Sequence, residues 1–223
     1  MTIKFIDLYN DMTGQAWSMF DGDVEAYDEF EKSVTTSIQK ALNNLWCSYK
    51  FPFREKTITI KTKAGVPSYT TPNGNIIRKT IRGVVYHSIK LGNSYLKYAP
   101  DYELLEEKTG KPEYYYLKND KIYLYPTPDN TYTIDIDYRS IFAAKSEEGI
   151  PKATLEEEND YIDIPVKYER LFLSALLPFA MTYAIASKSD ENYSGYQQQY
   201  EDAYKILIEY SSGIDIDKTI GWK

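Results

Sequence analysis

Cysteine and histidine are almost missing from this chain of 223 residues, which contains one of each. A single cysteine excludes an intramolecular disulfide framework and a zinc site built from several cysteines. The single histidine, His87, lies in a strand-like stretch of basic residues, and neither a Ser-His-Asp nor a Cys-His arrangement is suggested. Cys47 falls on an apolar helical stripe, so we expect a buried, unreactive thiol there.

Long apolar runs and ligand-binding motifs are also missing. No stretch approaches the roughly 18 uncharged apolar residues of a transmembrane helix, so no membrane span is expected. The motifs GxxxxGK(S/T), GxGxxG and HExxH do not occur, and no segment resembles an EF-hand loop. We therefore expect no cofactor and no metal site. Hydrophobic residues, at 43%, still suffice for a real core.

Charge is distributed unevenly along a chain whose net charge is −7. Residues 50–97 carry ten basic and one acidic side chain, a net charge of +9, whereas residues 1–49 carry −5 and residues 146–223 carry −8. A basic middle between acidic ends indicates a protein that meets charged partners on different sides.

Helical periodicity frames the chain at both ends. Asp23 is placed as the N-cap of a long helix whose apolar residues recur every three or four positions as far as Tyr49, before Pro52. A largely apolar helix follows Pro165, and a last helix ends at Gly213. Residues 3–20 are apolar but irregular, and we expect only a short helix and a docking segment there.

The strongest strand signal lies in Lys121–Arg139, where apolar and polar residues alternate on both sides of a turn at 126–130. We predict a β-hairpin around which a small antiparallel sheet is organised. A short helix is predicted for Asp101–Lys108.

These patterns predict an α+β protein, in which a helical bundle of three main helices carries an inserted small antiparallel β-domain. The acidic stretch 146–164 is either a solvated linker or an ordered arm that lines an interface or channel. The predicted segments are an N-terminal segment with the long helix (1–53), the β-domain (54–140), an acidic connecting arm (141–164), a C-terminal helix pair (165–212) and an extended docking tail (213–223).

Two sets of residues are candidates for contacts with other chains. Tyrosine is abundant, with 23 copies, and suits interfaces, although an AT-rich genome would also favour it. One stripe of the last helix is a candidate subunit interface, and the alternating apolar residues of the tail are expected to order against a neighbour. The stripe comprises Tyr193, Tyr196, Tyr200 and Tyr204, and the tail set comprises Ile214, Ile216, Ile220 and Trp222.

Charged clusters allow several interpretations. The acidic runs lie in polar segments, where the desolvation that raises a carboxyl pKa is not expected, so solvated charge is favoured over paired catalytic carboxylates. The basic stretch from Lys50 to Arg82, interleaved with aromatics, could grip phosphates, dock onto an acidic protein or form solvated strand edges.

The order of features resembles the head-to-tail adaptor proteins of short-tailed bacteriophages, the group that includes tail tubular protein A. A helix ending in LNNLWCSYKFPF (42–53) precedes the strands, and the apolar helix ERLFLSALLPFAMTYAIA (169–186) follows them. Between them lies the pattern G-x-P-x-x-Y, I-x-L-x-P-x-P, Y-x-I and Y, matched by Gly110, Pro112, Tyr115, Ile122, Leu124, Pro126, Pro128, Tyr132, Ile134 and Tyr138. The composition would suit a crAss-like phage.

The resemblance implies a structural virion protein, assembled in the host cytoplasm, rather than an enzyme. Such proteins form rings, most often of about twelve copies, that attach beneath the portal, extend the DNA channel and dock the next tail component. Double-stranded DNA would pass without specific binding, so a carboxylate-lined lumen is expected. The channel-facing candidates are Glu147, Glu148, Glu156, Glu157 and Glu158.

Two other functions remain open from the sequence. One is a nucleic-acid-binding module that uses the basic β-domain, which salt-dependent binding to free duplex DNA would favour. The other is a peptidoglycan-degrading hydrolase, an activity credited to some proteins of the resembled group, which turnover of peptidoglycan would favour.

Overall fold

The computed structural model describes residues 2–17, 19–20, 23–81, 84–100, 108–185 and 190–213, with the backbone alone at 79–81, 84–86 and 190–191. The chain divides into two compact units. The helical unit comprises the described parts of Met1–Phe53 and Phe142–Lys223, and the β unit comprises those of Arg54–Ile141.

Four helices, rather than the three predicted, build the helical unit in the described residues: α1 (Phe5–Trp17), α2 (Val24–Ser48), α3 (Val166–Ile185) and α4 (Asp190–Ser211). The additional helix, α1, continues through Gly14 because it buries Leu8, Met12 and Ala16 at four-residue spacing. The Asp23 carboxylate accepts the amide of Ala26 at 3.0 Å, which confirms the predicted N-cap of α2. None of the described helices is both long and apolar enough to cross a membrane.

Aromatic rings fill the core of the helical unit. The ring of fully buried Trp46 lies 5.3 Å from that of Phe53 and 6.3 Å from that of Phe172 on α3, so α2 packs on α3 through aromatic contacts. Cys47, one position along, is exposed, so the prediction of a buried thiol is wrong. Each helical residue turns by about 100°, and the stripe formed by Leu42, Leu45 and Trp46 is too narrow to include the next position.

Thirteen strands are described in the β unit, after a short 3₁₀ turn at Pro52–Arg54. They are β1 (Glu55–Lys61), β2 (Ser68–Thr70), β3 (Gly74–Ile76), β4 (Arg78–Ile81), β5 (Val84–His87), β6 (Ile89–Leu91), β7 (Ser94–Tyr95), β8 (Lys97–Tyr98), β9 (Thr109–Gly110), β10 (Tyr114–Lys118), β11 (Lys121–Tyr125), β12 (Thr127–Pro128) and β13 (Thr133–Ser140). Residues 101–107, where most of a short helix was predicted, lie outside the described residues.

The strands form two main sheets instead of one small antiparallel sheet. A five-stranded sheet has the order β1-β13-β6-β7, with β3 also paired to β13, and a four-stranded sheet has the order β2-β11-β10-β8. Two-stranded pairs join β4 to β5 and β9 to β12. The pairs β8–β10 and β9–β12 are parallel, so the prediction of an antiparallel domain holds for most of the strand pairs but not for all.

One core is shared by the two main sheets. Alternate residues of β13 (Ile134 and Ile136) and of β11 (Ile122 and Leu124) belong to the same buried cluster, together with Tyr115 of β10. The cluster also contains Ile89 and Leu96. The alternation found in the sequence therefore marks the inward faces of two packed sheets.

The predicted hairpin of Lys121–Arg139 is wrong, although both of its strands exist. Strand β11 pairs with β10 and β2, whereas β13 pairs with β1, β6 and β3 in the other sheet. The hairpin lies one turn earlier, between β10 and β11, where Asn119 and Asp120 have φ of 50° and 55°. Two consecutive left-handed residues are the signature of a type I′ hairpin turn.

A small sheet orders the acidic stretch, which belongs to the helical unit. Strand β14 (Ala144–Lys145) pairs on one side with β15 (Pro151–Lys152) and on the other with β16 (Tyr161–Ile162). Lys4 at the start of the chain bridges to Tyr161. Residues 142–164 thus form an ordered arm, which we call the acidic arm, rather than a solvated linker.

Candidate interaction surfaces

Asp160 holds the acidic arm in shape. Its carboxylate is 1% exposed, and Oδ2 accepts hydrogen bonds from Lys152 Nζ at 2.6 Å and from the amides of Glu156 and Glu157 at 2.7 and 3.0 Å. Burial alone would raise the pKa of this carboxyl, but the Lys152 ammonium and the two amides outweigh burial and lower it. The arm therefore closes around an ionised carboxylate.

All five glutamates predicted to face a channel are exposed on this arm. Glu148 accepts the Ser146 hydroxyl at 2.7 Å, and Glu156 accepts the Thr154 hydroxyl at 2.6 Å. These hydrogen bonds lower the pKa of both carboxyls, and the nearby Lys152 lowers the pKa of Glu156 further. A general acid needs the opposite, a raised pKa. The glutamates are thus solvated negative charge, and their position relative to a channel stays a prediction.

The first residues of the chain join the acidic arm. The amide of Phe5 donates to the Asp160 carbonyl at 2.9 Å, and the amide of Ile162 donates to the Ile3 carbonyl at 3.1 Å. Asp7 and Asp11 of α1, both exposed, follow directly. The helical unit therefore brings parts of both acidic segments, remote in sequence, to one surface.

A groove of about 260 Å³ lies between α1 and α3. Apolar side chains of Ile3, Leu8 and Leu173 contribute to its walls, together with Thr2 and the charged residues Asp7, Asp11, Glu169 and Arg170. Its position beside the acidic arm makes it a further part of that surface.

The tyrosine stripe of α4 packs largely within its own chain. The ring of Tyr200 stacks on Phe179 of α3 with 4.1 Å between centroids and continues to Tyr204 at 5.5 Å. Burial raises the pKa of Tyr200 to about 12 and also raises the pKa of Tyr196, whose hydroxyl donates to Met19 Sδ. Tyr193 is 38% exposed. A role of this stripe in subunit contact stays a prediction.

The predicted docking tail begins where the described residues end, just after α4. Gly213, with φ of 71°, follows α4 as predicted for its stop. Ile214, Ile216, Ile220 and Trp222 lie outside the described residues.

The basic residues of the β unit do not all face solvent. Arg54 is 6% exposed and donates to the Ser140 carbonyl at 3.1 Å, and Lys90 pairs with Asp137 at 3.0 Å. Lys61 and Lys63 are exposed. Part of the basic stretch therefore serves the internal structure of the unit, which reduces the charge left for gripping phosphates.

His87 is a strand residue, as predicted. Its Nε2 accepts Arg78 Nε at 3.1 Å, and Nδ1 meets the hydroxyl of Tyr115. Burial, assisted by the Arg78 charge, lowers the pKa of the imidazole. Among the described residues, no group of three or more His, Cys, Asp or Glu side chains could hold a metal ion.

The sequence did not single out the residues that order the acidic arm. Asp160 is one of several acids in the stretch, and only its burial distinguishes it. The only local rule that applies is general: an Asp side chain can accept backbone amides three or four residues before it. The pairing of Lys4 with Tyr161 joins residues 157 positions apart, and no local pattern indicates it.

Comparison with known proteins agrees with the predicted resemblance. The family model for the SU10 adaptor protein matches residues 11–216, a range that includes the whole β unit and most of the helical unit. No curated protein sequence gives a significant match. The predicted resemblance to phage adaptors is confirmed at the level of the family, and the chain therefore belongs to the SU10 adaptor family of bacteriophage head-tail adaptors.

Proposed function

We propose that the chain is a virion structural protein whose copies form a ring beneath the portal, extend the DNA channel and dock the next tail component. About twelve copies, closed by rotational symmetry, form the proposed ring. The observation that carries the proposal is the family match over residues 11–216.

The exposed negative charge of the acidic arm supports a position of this arm at the channel wall. DNA moving through a connector is slowed by Lys and Arg contacts to its phosphates, whereas a carboxylate wall repels it within about a Debye length, ~8 Å at physiological salt. The arm presents five exposed glutamates on a sheet locked by Asp160. The basic β unit then faces outward or towards an acidic partner ring.

The tyrosine stripe and the tail supply the proposed contacts. Tyr193, exposed at the start of α4, contacts an adjacent copy, with Tyr196, Tyr200 and Tyr204 behind it. The tail beyond Gly213 carries the alternating Ile214 and Ile216 to the portal or to another neighbour.

Electron microscopy of the purified protein, alone and with portal protein, tests the ring. We expect closed rings that bind the portal end-on. A protein that stays monomeric at micromolar concentration with and without the portal would contradict the proposal.

Charge reversal tests the channel wall. Replacing Glu156 and Glu157 by Lys should make assembled rings retain a short DNA duplex at low salt. The matched control replaces Glu201 and Asp202 of α4, which are both exposed, by Lys. It changes the net charge by the same amount as the variant of the arm. Equal retention of the duplex by the two variants would mean that the acidic arm does not line the channel.

A map of the assembled ring provides a second test. Lys56, Lys61 and Arg78 lining the channel would overturn the charge argument but not the proposed connector.

A further inference from the structure

Among the described strands, β1 lies at an open edge of the five-stranded sheet. In the described part of the chain it pairs with β13 alone. Five of its seven residues are exposed and the other two are partly exposed. An exposed edge strand is a template for a further strand, which natural proteins block or cover. Its central residues, Thr57-Ile58-Thr59-Ile60, carry no charge that would block pairing.

The backbone register shows which groups are available at that edge. The amide of Thr62 donates to the Tyr132 carbonyl at 2.8 Å, in register with the β1–β13 ladder. In an antiparallel pair, residues whose N–H and C=O groups point at the partner strand alternate with residues whose groups point away. The even-numbered residues of β1, like Thr62, therefore direct these groups at β13. The backbone groups of Thr57 and Thr59 therefore point away from β13, along the open edge.

The side chains of β1 divide the same edge into an apolar and a polar face. Ile58 lies opposite Ile136, which is fully buried, yet Ile58 itself is 38% exposed. The apolar layer between the two main sheets thus extends to β1, where the Ile58 side chain is partly exposed. On the other face, Thr57 and Thr59 donate to Asp137 and Asp135 at 2.8 and 2.6 Å.

The chain contains a second copy of the sequence that β1 already pairs with. Residues 134–137 of β13 read Ile-Asp-Ile-Asp, and residues 214–217 read the same. In β13 the two isoleucines lie beside Ile60 and Ile58, and the two aspartates lie beside the threonines. A strand with this alternation therefore matches both faces of β1.

We propose that the open edge of β1 binds residues 214–217 of a second copy of this chain as an added strand. Ile214 and Ile216 then cover the face of Ile58 and Ile60. Asp215 and Asp217 lie on the face of the threonines, where exposed Lys61 offers opposite charge. The inference rests on the proposed ring, which supplies each tail with the β1 of another copy.

The segment follows closely after the end of helix α4. Helix α4 ends at Ser211, and Gly213, with φ of 71°, turns the chain out of the helix immediately before Ile214. Extended chain spans about 3.3 Å per residue, so residues 214–217 are long enough to lie along the central residues of β1.

Binding of a labelled peptide with the sequence of residues 212–223 tests the contact. The receptor is the full-length chain carrying Ile214→Lys and Ile216→Lys, whose own tail cannot compete. Thr59→Pro removes an amide that points along the open edge and leaves the β13 ladder intact, so it should weaken peptide binding about tenfold or more. Thr59→Val loses the same hydroxyl but keeps the amide, and should bind within roughly twofold of the unchanged edge.

Ile58→Lys serves as a second edge variant if Thr59→Pro fails to fold. It leaves the backbone intact and places a charge on the apolar face, so peptide binding should again fall. Equal peptide binding by Thr59→Pro and Thr59→Val would overturn the proposal. So would binding of the peptide to portal protein but not to this chain.

Mixing two full-length variants distinguishes a contact between copies from one within a copy. The tail variant Ile214→Lys/Ile216→Lys and the edge variant Thr59→Pro should each fail to associate through this contact. Mixed, they should form a complex of one copy of each, measured by native mass spectrometry. Absence of the mixed complex would overturn the contact between copies. Rings of the unmodified chain without a mixed complex of the variants would reject the contact and retain the proposed ring. A mixed complex without rings of the unmodified chain would retain the contact and reject the ring.

Discussion

The helical unit and the β unit stabilise themselves in different ways. The helical core is built from segments at both ends of the chain and relies on large rings, with Trp46, Phe53 and Phe172 in mutual contact. The β core comes from one continuous segment and is mainly aliphatic, and polar cross-strand pairs such as Thr57–Asp137 flank it. Loss of an apolar side chain should therefore destabilise the helical unit most, and loss of a polar partner should destabilise the β unit most.

Tryptophan offers a way to observe the units separately. Trp17 and Trp46 belong to the helical unit, Trp222 lies in the tail, and the sequence of the β unit contains none. Tryptophan fluorescence therefore reports unfolding around the helical core, while tyrosine and far-UV circular dichroism signals include the β unit.

The largest effect is expected for Trp46→Ala. Its side chain is fully buried, so the free energy of unfolding should fall by about 3–5 kcal/mol. Thermal and urea unfolding measure the change. The adjacent Cys47→Ser is the control: its thiol is exposed, and the change should stay within about 0.5 kcal/mol. An unchanged melting temperature for Trp46→Ala would contradict the aromatic core.

The corresponding test in the β unit is Asp137→Ala. Its carboxylate accepts Thr57, Ser88 and Lys90 at 2.8, 2.5 and 3.0 Å, so the loss should cost about 2–3 kcal/mol. Asp135→Ala, on the same strand face, removes the bond from Thr59 and should cost about 1 kcal/mol. Equal costs would show that the network around Asp137 adds nothing.

One substitution should have opposite signs in the two units. A Cβ at Gly74 would lie 2.1 Å from the backbone oxygen of Arg139, so Gly74→Ala should displace β3 and cost about 1–3 kcal/mol. At Gly195, inside α4, a Cβ meets nothing within 4 Å, and Gly195→Ala should stabilise the helix by about 0.5–1 kcal/mol. Urea unfolding of the two variants measures both signs, and a stabilising Gly74→Ala would refute the close approach.

The last prediction concerns pH and the acidic arm. Because the pKa of Asp160 is lowered in the folded protein, its contribution is complete above the ordinary pKa near 4 and is lost as pH falls through the folded value. Asp160→Asn should therefore cost about 1–2 kcal/mol at pH 7, and less at pH 3. Glu157→Gln, at an exposed site, is the control. A difference independent of pH would mean that folding does not shift the pKa of the Asp160 carboxyl.

Local patterns predicted the elements that depend on neighbours in sequence. Helix α2 follows from Asp23 and from an apolar stripe with a 3.6-residue period, and β11 and β13 follow from alternation with a period of two. The same reasoning failed for the hairpin, because alternation shows that Ile122 and Ile134 face a core but not which strand lies beside each. It also underrated α1, where burial of Leu8 and Met12 overrides the helix-weakening Gly14.

By itself, the sequence determined the class of the fold, the long helices, the inward residues of the main strands and the adaptor family. Each of these depends on short-range periodicity or on an ordered motif. Tertiary structure decided which strands share a sheet, that Lys4 extends the acidic arm, and that Asp160 among many acids is the buried one. These contacts join residues that are distant in sequence or identical in type, so only packing in three dimensions could select them.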